Sequence, residues 1–217
     1  MKKILLITVI VIFVSISSFA QNSKFFRFGL LGSPAYAWLK PDTKGWESKS
    51  GQLKFGYGFI GEFTIADNYS FATSIDIAYS GGKLQYNTDS TKNTNSYDLQ
   101  YLEIPLSLKM KTNEIGYITY YGKFGAGVGF NLKARGDVEI EDLKGNKLPS
   151  NIDIDIADDI NFFRTSFIIG LGIEYSLSET TSIIVGATFN NGLTDILKSK
   201  DSKAINNFIS IDLGILF

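Results

Sequence analysis

Apolar and polar residues alternate one by one through most of this chain, most plainly in its last segment. There Ile209, Ile211, Leu213, Ile215 and Phe217 share one face, and Phe208, Ser210, Asp212 and Gly214 share the other. A period of two places neighbouring side chains on opposite faces of a β-strand. The pattern recurs upstream. Leu102, Ile104, Leu106, Leu108 and Met110 oppose Glu103, Pro105, Ser107 and Lys109. Phe71, Thr73, Ile75, Ile77 and Tyr79 oppose Ala72, Ser74, Asp76, Ala78 and Ser80. Phe163, Phe167, Ile169, Leu171 and Tyr175 oppose Arg164, Ser166, Gly170, Gly172 and Glu174. Eight strands are predicted, over 24–33, 53–65, 69–80, 98–110, 117–133, 162–177, 181–190 and 206–217.

The links between these strands alternate in length. Those at 66–68, 111–116 and 178–180 are tight, whereas those at 34–52, 81–97, 134–161 and 191–205 are long and polar. Short turns on one side and long loops on the other are the arrangement of outer-membrane barrels. The expected fold is therefore all-β: an eight-stranded antiparallel up-and-down transmembrane β-barrel with long extracellular loops. Its bulky faces would meet lipid and its small and charged faces the lumen. Slipping the fourth strand by one residue would put Lys109 in hydrocarbon, at about 2–4 kcal/mol near the midplane.

Extending the inward face to every strand collects Arg27, Glu62, Asp76, Glu103, Lys109, Lys123, Arg164, Glu174 and Asp212. Eight strands enclose a space just wide enough for side chains to fill. Isolated buried charges are heavily penalised, so these residues are expected to pair into a plugged lumen charge network. Inward glycines at 125, 127 and 129 would leave room for long neighbours such as Arg164 and Lys123. Aromatic residues gather near strand ends, as girdles require: Tyr69, Phe71, Tyr117, Tyr120, Tyr121, Tyr175 and Phe217 toward one rim, Phe55, Tyr57, Tyr79, Tyr97 and Phe163 toward the other. Trp38 and Trp46 fall in the first long loop.

Targeting agrees with this picture. Lys2 and Lys3 precede an apolar run from Ile4 to Val14, and Ser18-Phe19-Ala20 precedes Gln21. Residues 1–20 read as a cleaved signal peptide and 21–217 as the barrel domain. The apolar run is too short for a spanning helix, which needs roughly 20 residues. With Lys2 and Lys3 removed, the net charge of the remaining chain is close to −3, no footprint for nucleic acid. There is no cysteine, so disulfides and thiolate metal sites are excluded.

Candidate chemistry is sparse. The chain has no histidine, which removes Ser–His, Cys–His and His–Asp catalysis. A carboxylate pair among Glu62, Asp76, Glu103 and Glu174 is better explained by charge neutralisation, so no enzyme and no cofactor are expected. Gly125-Ala126-Gly127-Val128-Gly129 resembles a phosphate loop, but the alternation runs on through Phe130 to Lys133 where a helix would have to open. The third long loop, 136–160, carries two alternating acidic stretches around Lys144-Gly145-Asn146-Lys147. It reads as a β-hairpin above the membrane, with an edge that could take an extended extracellular partner. Its carboxylates, with Asp158 and Asp159, could hold Ca²⁺, although EF-hand spacing is absent. The second loop, around 86–96, reads as a mobile polar tip.

Three stretches carry a family resemblance: Tyr101-Leu102-Glu103-Ile104-Pro105-Leu106-Ser107-Leu108-Lys109, Tyr121-Gly122-Lys123-Phe124-Gly125-Ala126-Gly127-Val128-Gly129, and Ser18-Phe19-Ala20-Gln21. With these the chain resembles the small outer-membrane β-barrel domain family of Bacteroidota, the porin-family or PorT-like proteins. The resemblance implies a location in the outer membrane of a Gram-negative cell. It also implies outer-membrane lipid as solvent and the barrel assembly machinery as a partner in biogenesis, with Phe217 as the assembly signal. A monomer acting in structure or surface interaction is the leading expectation. A narrow diffusion porin and a PorT-like accessory of a protein secretion system are the alternatives. Pro105 removes one ladder donor, so an irregularity is expected there.

Overall fold

The computed structural model describes residues 25–88, 90–199 and 202–217. The expected signal peptide, 1–20, lies outside the described residues. Ten strands follow in order: β1 (Phe26–Pro41), β2 (Trp46–Ser50), β3 (Gln52–Ala66), β4 (Tyr69–Asn87), β5 (Thr91–Lys111), β6 (Ile118–Asp142), β7 (Asn151–Asp155), β8 (Phe163–Ser176), β9 (Ser182–Gly192) and β10 (Ala204–Leu216). A 3₁₀ turn, Ala157–Asp159, precedes β8. No helix of the described residues is long and apolar enough to cross a membrane.

Eight strands close a ring. Each pairs antiparallel with the next in the order β1, β3, β4, β5, β6, β8, β9, β10, and β10 returns to β1. The seam runs from Gly29 opposite Leu216 to Pro41 opposite Ala204. At its foot the Phe217 amide donates to the Phe28 carbonyl at 2.7 Å. Closure matters because an open edge in hydrocarbon would leave backbone donors and acceptors without partners.

The expected faces hold. Leu106 is 58% exposed on the outside and Leu213 49%, while Lys109, Glu62 and Arg164 inside are 2%, 0% and 1% exposed. The ladder between β4 and β5 lapses opposite Ser74 and Ile75, beside Pro105, which has no N–H to give. The Thr73 hydroxyl donates instead to the Pro105 carbonyl at 2.8 Å.

The largest differences from expectation lie on the long-loop side, where several strands run further than the alternation predicts. β4, β5 and β6 run well past the predicted 80, 98 and 133, to 87, 91 and 142. The supposed mobile tip around 86–96 is largely strand. Trp38 lies on β1, stacked on Phe189 at 6.1 Å between ring centres, and Trp46 lies on β2 against Tyr86 at 4.4 Å. The pattern misled because strand polarity inverts with height. On β5 the inward residues change from Lys109, Ser107 and Glu103 to Tyr101, Leu99 and Tyr97. The outward ones change from Leu106 and Ile104 to Gln100 and Asp98. Below that level the wall is solvated by hydrocarbon; above it, by water, so the greasy face turns inward as in a soluble barrel.

Candidate functional site: a charged lumen under an apolar cap

All nine charged residues expected in the lumen face inward, and they form three levels. The lowest is built around Glu62. Arg27 and Lys109 donate to its Oε2 at 3.0 and 2.9 Å, and Lys111 donates to Oε1. Glu174 takes the other arm of the same group, accepting from Arg27 at 2.7 Å and from Lys109. The Lys109 ammonium also sits 4.3 Å from the centre of the Tyr121 ring. Three cations and two carboxylates thus satisfy one another, as burial demands. Below them a vestibule of about 780 Å³ opens among the short turns.

The middle level centres on Asp212. It accepts from Lys123 at 3.0 Å, from the hydroxyls of Ser33 at 3.1 Å and Ser210 at 2.9 Å, and from Thr188. Asp76 stands apart: its Oδ2 accepts from Ser74 at 2.6 Å, and it makes no ion pair among the described residues. The expectation that every inward charge would find an opposite partner is corrected here, because Lys123, the cation of this level, is held by Asp212. Both acids line a cavity of about 110 Å³.

At the top Arg164 closes the lumen. It donates to Glu103, to the Asn190 side chain at 2.8 Å and to the Asn206 carbonyl at 3.3 Å. Its guanidinium lies between the rings of Tyr101 and Phe208, 5.4 and 5.7 Å from their centres. Such a planar cation can stack and pair at once, which an ammonium cannot. Gly129 makes the room: a Cβ there would lie 2.7 Å from Arg164 Cγ and from Glu103 Oε1.

Above Arg164 the interior becomes an apolar cap of Leu39, Leu84, Tyr97, Leu99, Ala134, Ile160, Ile196 and Leu197. Two loops deliver its centre. Ile160 bridges to Leu197, the Asn161 amide donates to the Ile196 carbonyl at 2.8 Å, and the Asn161 side chain donates to the carbonyls of Asp195 and Leu197 at 3.0 and 3.1 Å.

Three participants escaped the sequence reading. Lys111, expected in a turn, continues the odd-numbered inward set of Lys109. Tyr121 and Tyr97, expected in the girdles, both point inward, one onto Lys109 and the other into the cap. Their parity was the available signal. The acidic hairpin forms, with β7 paired to β6. At its tip the Asp142 carboxylate accepts from the Asn146 side chain and backbone, both at 2.8 Å, and from the Lys144 amide at 2.9 Å. Those donors, the Asn146 side chain foremost, hold its carboxyl below the usual range. Among the described residues no three carboxylates converge as cation ligands.

Several solved structures are similar to the chain at low identity. The chain is similar to Neisserial surface protein A, NspA (14% identity, 87% of this chain and 95% of that one, TM-score 0.46). It is similar to OprG from Pseudomonas aeruginosa (11%, 88% and 95%, TM-score 0.47). It is also similar to the outer membrane protease OmpT from Escherichia coli (8%, 90% and 97%, TM-score 0.43). No curated protein matches the chain significantly. The outer membrane protein beta-barrel domain family matches residues 19–198. A closed eight-strand wall, greasy outside and charged within, together with that match, makes this chain a member of the outer membrane protein beta-barrel domain family, resident in the outer membrane.

Proposed function

We propose that the protein is a plugged, surface-displaying barrel. Its lumen serves as a rigid salt-bridged core, and its activity lies in the strands that rise beyond the membrane. The observation that carries this reading is the double closure of the interior: Arg164 is held by Glu103, Asn190 and Asn206, beneath the cap of buried apolar residues. A diffusion pore needs a continuous wet path, and its lining should avoid fixed pairs bridging the lumen. No catalytic role is proposed, since the chain holds no histidine and its inward carboxylates other than Asp76 are engaged in neutralising cations.

Recordings in planar bilayers should show no steady channel from folded wild-type protein, and a large stable conductance from the monomer would restore the narrow-pore alternative. The extracellular side is tested separately. The elongated β4, β5 and β6, with β2 and β7 alongside, form the displayed surface, and the β6–β7 hairpin presents exposed Leu143, Ile152 and Ile154 among acids. A protein partner would meet this surface.

Phe217 is proposed to report the finished strand to the barrel assembly machinery. It stands half-exposed at the foot of the seam, with its ring 5.8 Å from that of Phe28 and its backbone paired there. Deleting Phe217 should slow the appearance of the heat-modifiable folded form in cells several-fold, while refolding of the purified chain in detergent is affected less. Equal rates in cells for the deletion and the wild type would remove the assembly role.

A further inference from the structure

The wall has a break between β3 and β4. The two strands pair from Ala66 opposite Tyr69 up to Gly56 opposite Ala78, and higher up β4 pairs with β2 instead, from Lys83 opposite Ser50. Between those points residues 51–55 and 79–82 share no ladder, although 52–55 stay paired to β1 and 79–82 to β5. β4 leaves β3 through Gly81, at a φ of 139°. Gly82 then comes against β1, where a Cβ would lie 2.8 Å from the Leu39 nitrogen. An ion pair bridges the gap: Lys54 of β3 reaches past Gly81 to Asp98, its partner position on β5. The Asp98 side chain is 50% exposed, so water screens this contact and it holds weakly.

The gap sits where hydrocarbon gives way to water. Its lower lip carries the exposed, outward rings of Tyr57 and Tyr79, whereas Gln100 and Asp98, outward beside it on β5, are polar. Tyrosine suits that boundary because it has an apolar body and a polar tip, and small amphiphiles gather there for the same reason. Behind the gap lies the cavity that Asp76 and Asp212 line. It also touches Gly56 and Ala78, the last bonded pair below the gap, the outward Tyr57 and Tyr79, and Ala35, which stands opposite Lys54 on β1. The cavity thus extends from the lumen to the lower lip of the gap. Arg164 with Glu103 closes it above and the Glu62 group closes it below, so the approach it offers is from the side.

The inner end of this cavity lacks a donor. Lys123 is held by Asp212. Asp76 Oδ2 accepts from the Ser74 hydroxyl, but Oδ1 is buried and has no partner among the described residues. A buried carboxylate oxygen left without a donor carries a penalty. An incoming ammonium would supply the donor and the charge together. An anion would meet two carboxylates, and a hydrocarbon would leave Oδ1 as it is. Size sets the rest. A cavity of about 150 Å³ holds a benzene ring, so one of about 110 Å³ admits an ammonium with a short carbon stem. The rest of a longer stem would run out between Tyr57 and Tyr79.

We propose that the gap between β3 and β4 is a lateral port, and that the cavity behind it binds a primary ammonium on an apolar stem, taken from the outer face of the membrane with its head at Asp76. Such a ligand leaves both plugs in place, so the inference goes beyond surface display without opening a channel. A free alkylamine and the ethanolamine headgroup of a lipid offer the same chemistry. Folded protein with labelled alanine methyls, in phosphatidylcholine nanodiscs, is titrated with hexylamine and followed by NMR. The Ala35 and Ala78 methyls at the port and Ala72 within should shift saturably. Hexanol, of equal length but uncharged, should bind about tenfold more weakly. Asp76→Asn, at a site without an ion pair, should fold by heat-modifiable migration yet lose about tenfold in hexylamine affinity. Gly56→Val is the second variant: a Cβ there meets nothing closer than 3.5 Å, and its methyls narrow the lip, so hexylamine exchange should slow with Asp76 intact. The same shifts in phosphatidylethanolamine nanodiscs without hexylamine, lost in Asp76→Asn, support the site with the lipid as its source; shifts with hexylamine alone support it with the free amine. Equal affinity for hexylamine and hexanol, or for wild type and Asp76→Asn, overturns the ammonium site. Unmoved methyls at Ala35, Ala72 and Ala78 overturn the port as well, and the plugged reading then still stands on the bilayer recordings.

Discussion

Replacing Arg164 with Ala should lower the unfolding free energy of the barrel by about 3–5 kcal/mol, the cost of stranding a buried charge. Glu103, 4% exposed, loses its only ion-pair partner among the described residues, and Asn190 loses a donor. The gap is framed by Tyr101 and Phe208, whose rings now flank a void. Urea titration of the protein in lipid vesicles, read by loss of heat-modifiable migration, measures the loss. Arg164→Lys should recover only part, because an ammonium cannot reach Glu103, Asn190 and the Asn206 carbonyl together in one plane. The pair Arg164→Met with Glu103→Gln should recover more than either alone, since removing both charges removes the penalty. If Arg164→Ala unfolds at the wild-type midpoint, the top of the lumen is not the plug described here.

The second large effect is expected at Glu62. Changing it to Gln keeps the shape and removes the carboxylate that Arg27, Lys109 and Lys111 share. Lys109, 2% exposed, cannot turn to water and must rely on Glu174 alone. Arg27 and Lys111 border the vestibule and can hydrate. The expected cost is therefore at the lower end for a broken buried pair, about 3 kcal/mol. The asymmetry gives the check. Adding Lys109→Met to Glu62→Gln should return most of the loss, whereas adding Lys111→Met should return little. The same vesicle titration decides between them, and equal rescue by both would mean that burial does not rank these cations.

Much of this was legible beforehand, and the reason is specific. Lys109, Arg164 and Glu62 could be placed inside because each shares parity with small residues and opposes Leu, Ile or Phe. The same parity, applied strictly, would also have brought in Lys111 and Tyr121. Both sit at strand ends, where a lysine looks like a turn and a tyrosine looks like a girdle. Tyr97 and Leu99 were harder. Their stretch has apolar residues on the face that is charged lower down, so a reader assuming one solvent along the strand ends it at Asp98. Water above the bilayer reverses which face must be greasy, and strand continuity survives the reversal.

Alternation alone determined the number of spanning strands, the face each side chain occupies and the closure of the wall, because period two is a property of the extended backbone whatever it packs against. Only the tertiary structure decided which charges meet. Glu62 reaches Arg27 35 residues away and Lys109 47 away, Arg164 reaches Glu103 61 away, and Asp76 is left with a serine. Those pairings follow from the stagger of the strands around the barrel, which sets the height at which two inward residues face each other across the lumen. Stagger is a sum over every register in the ring, and no local run of residues contains it.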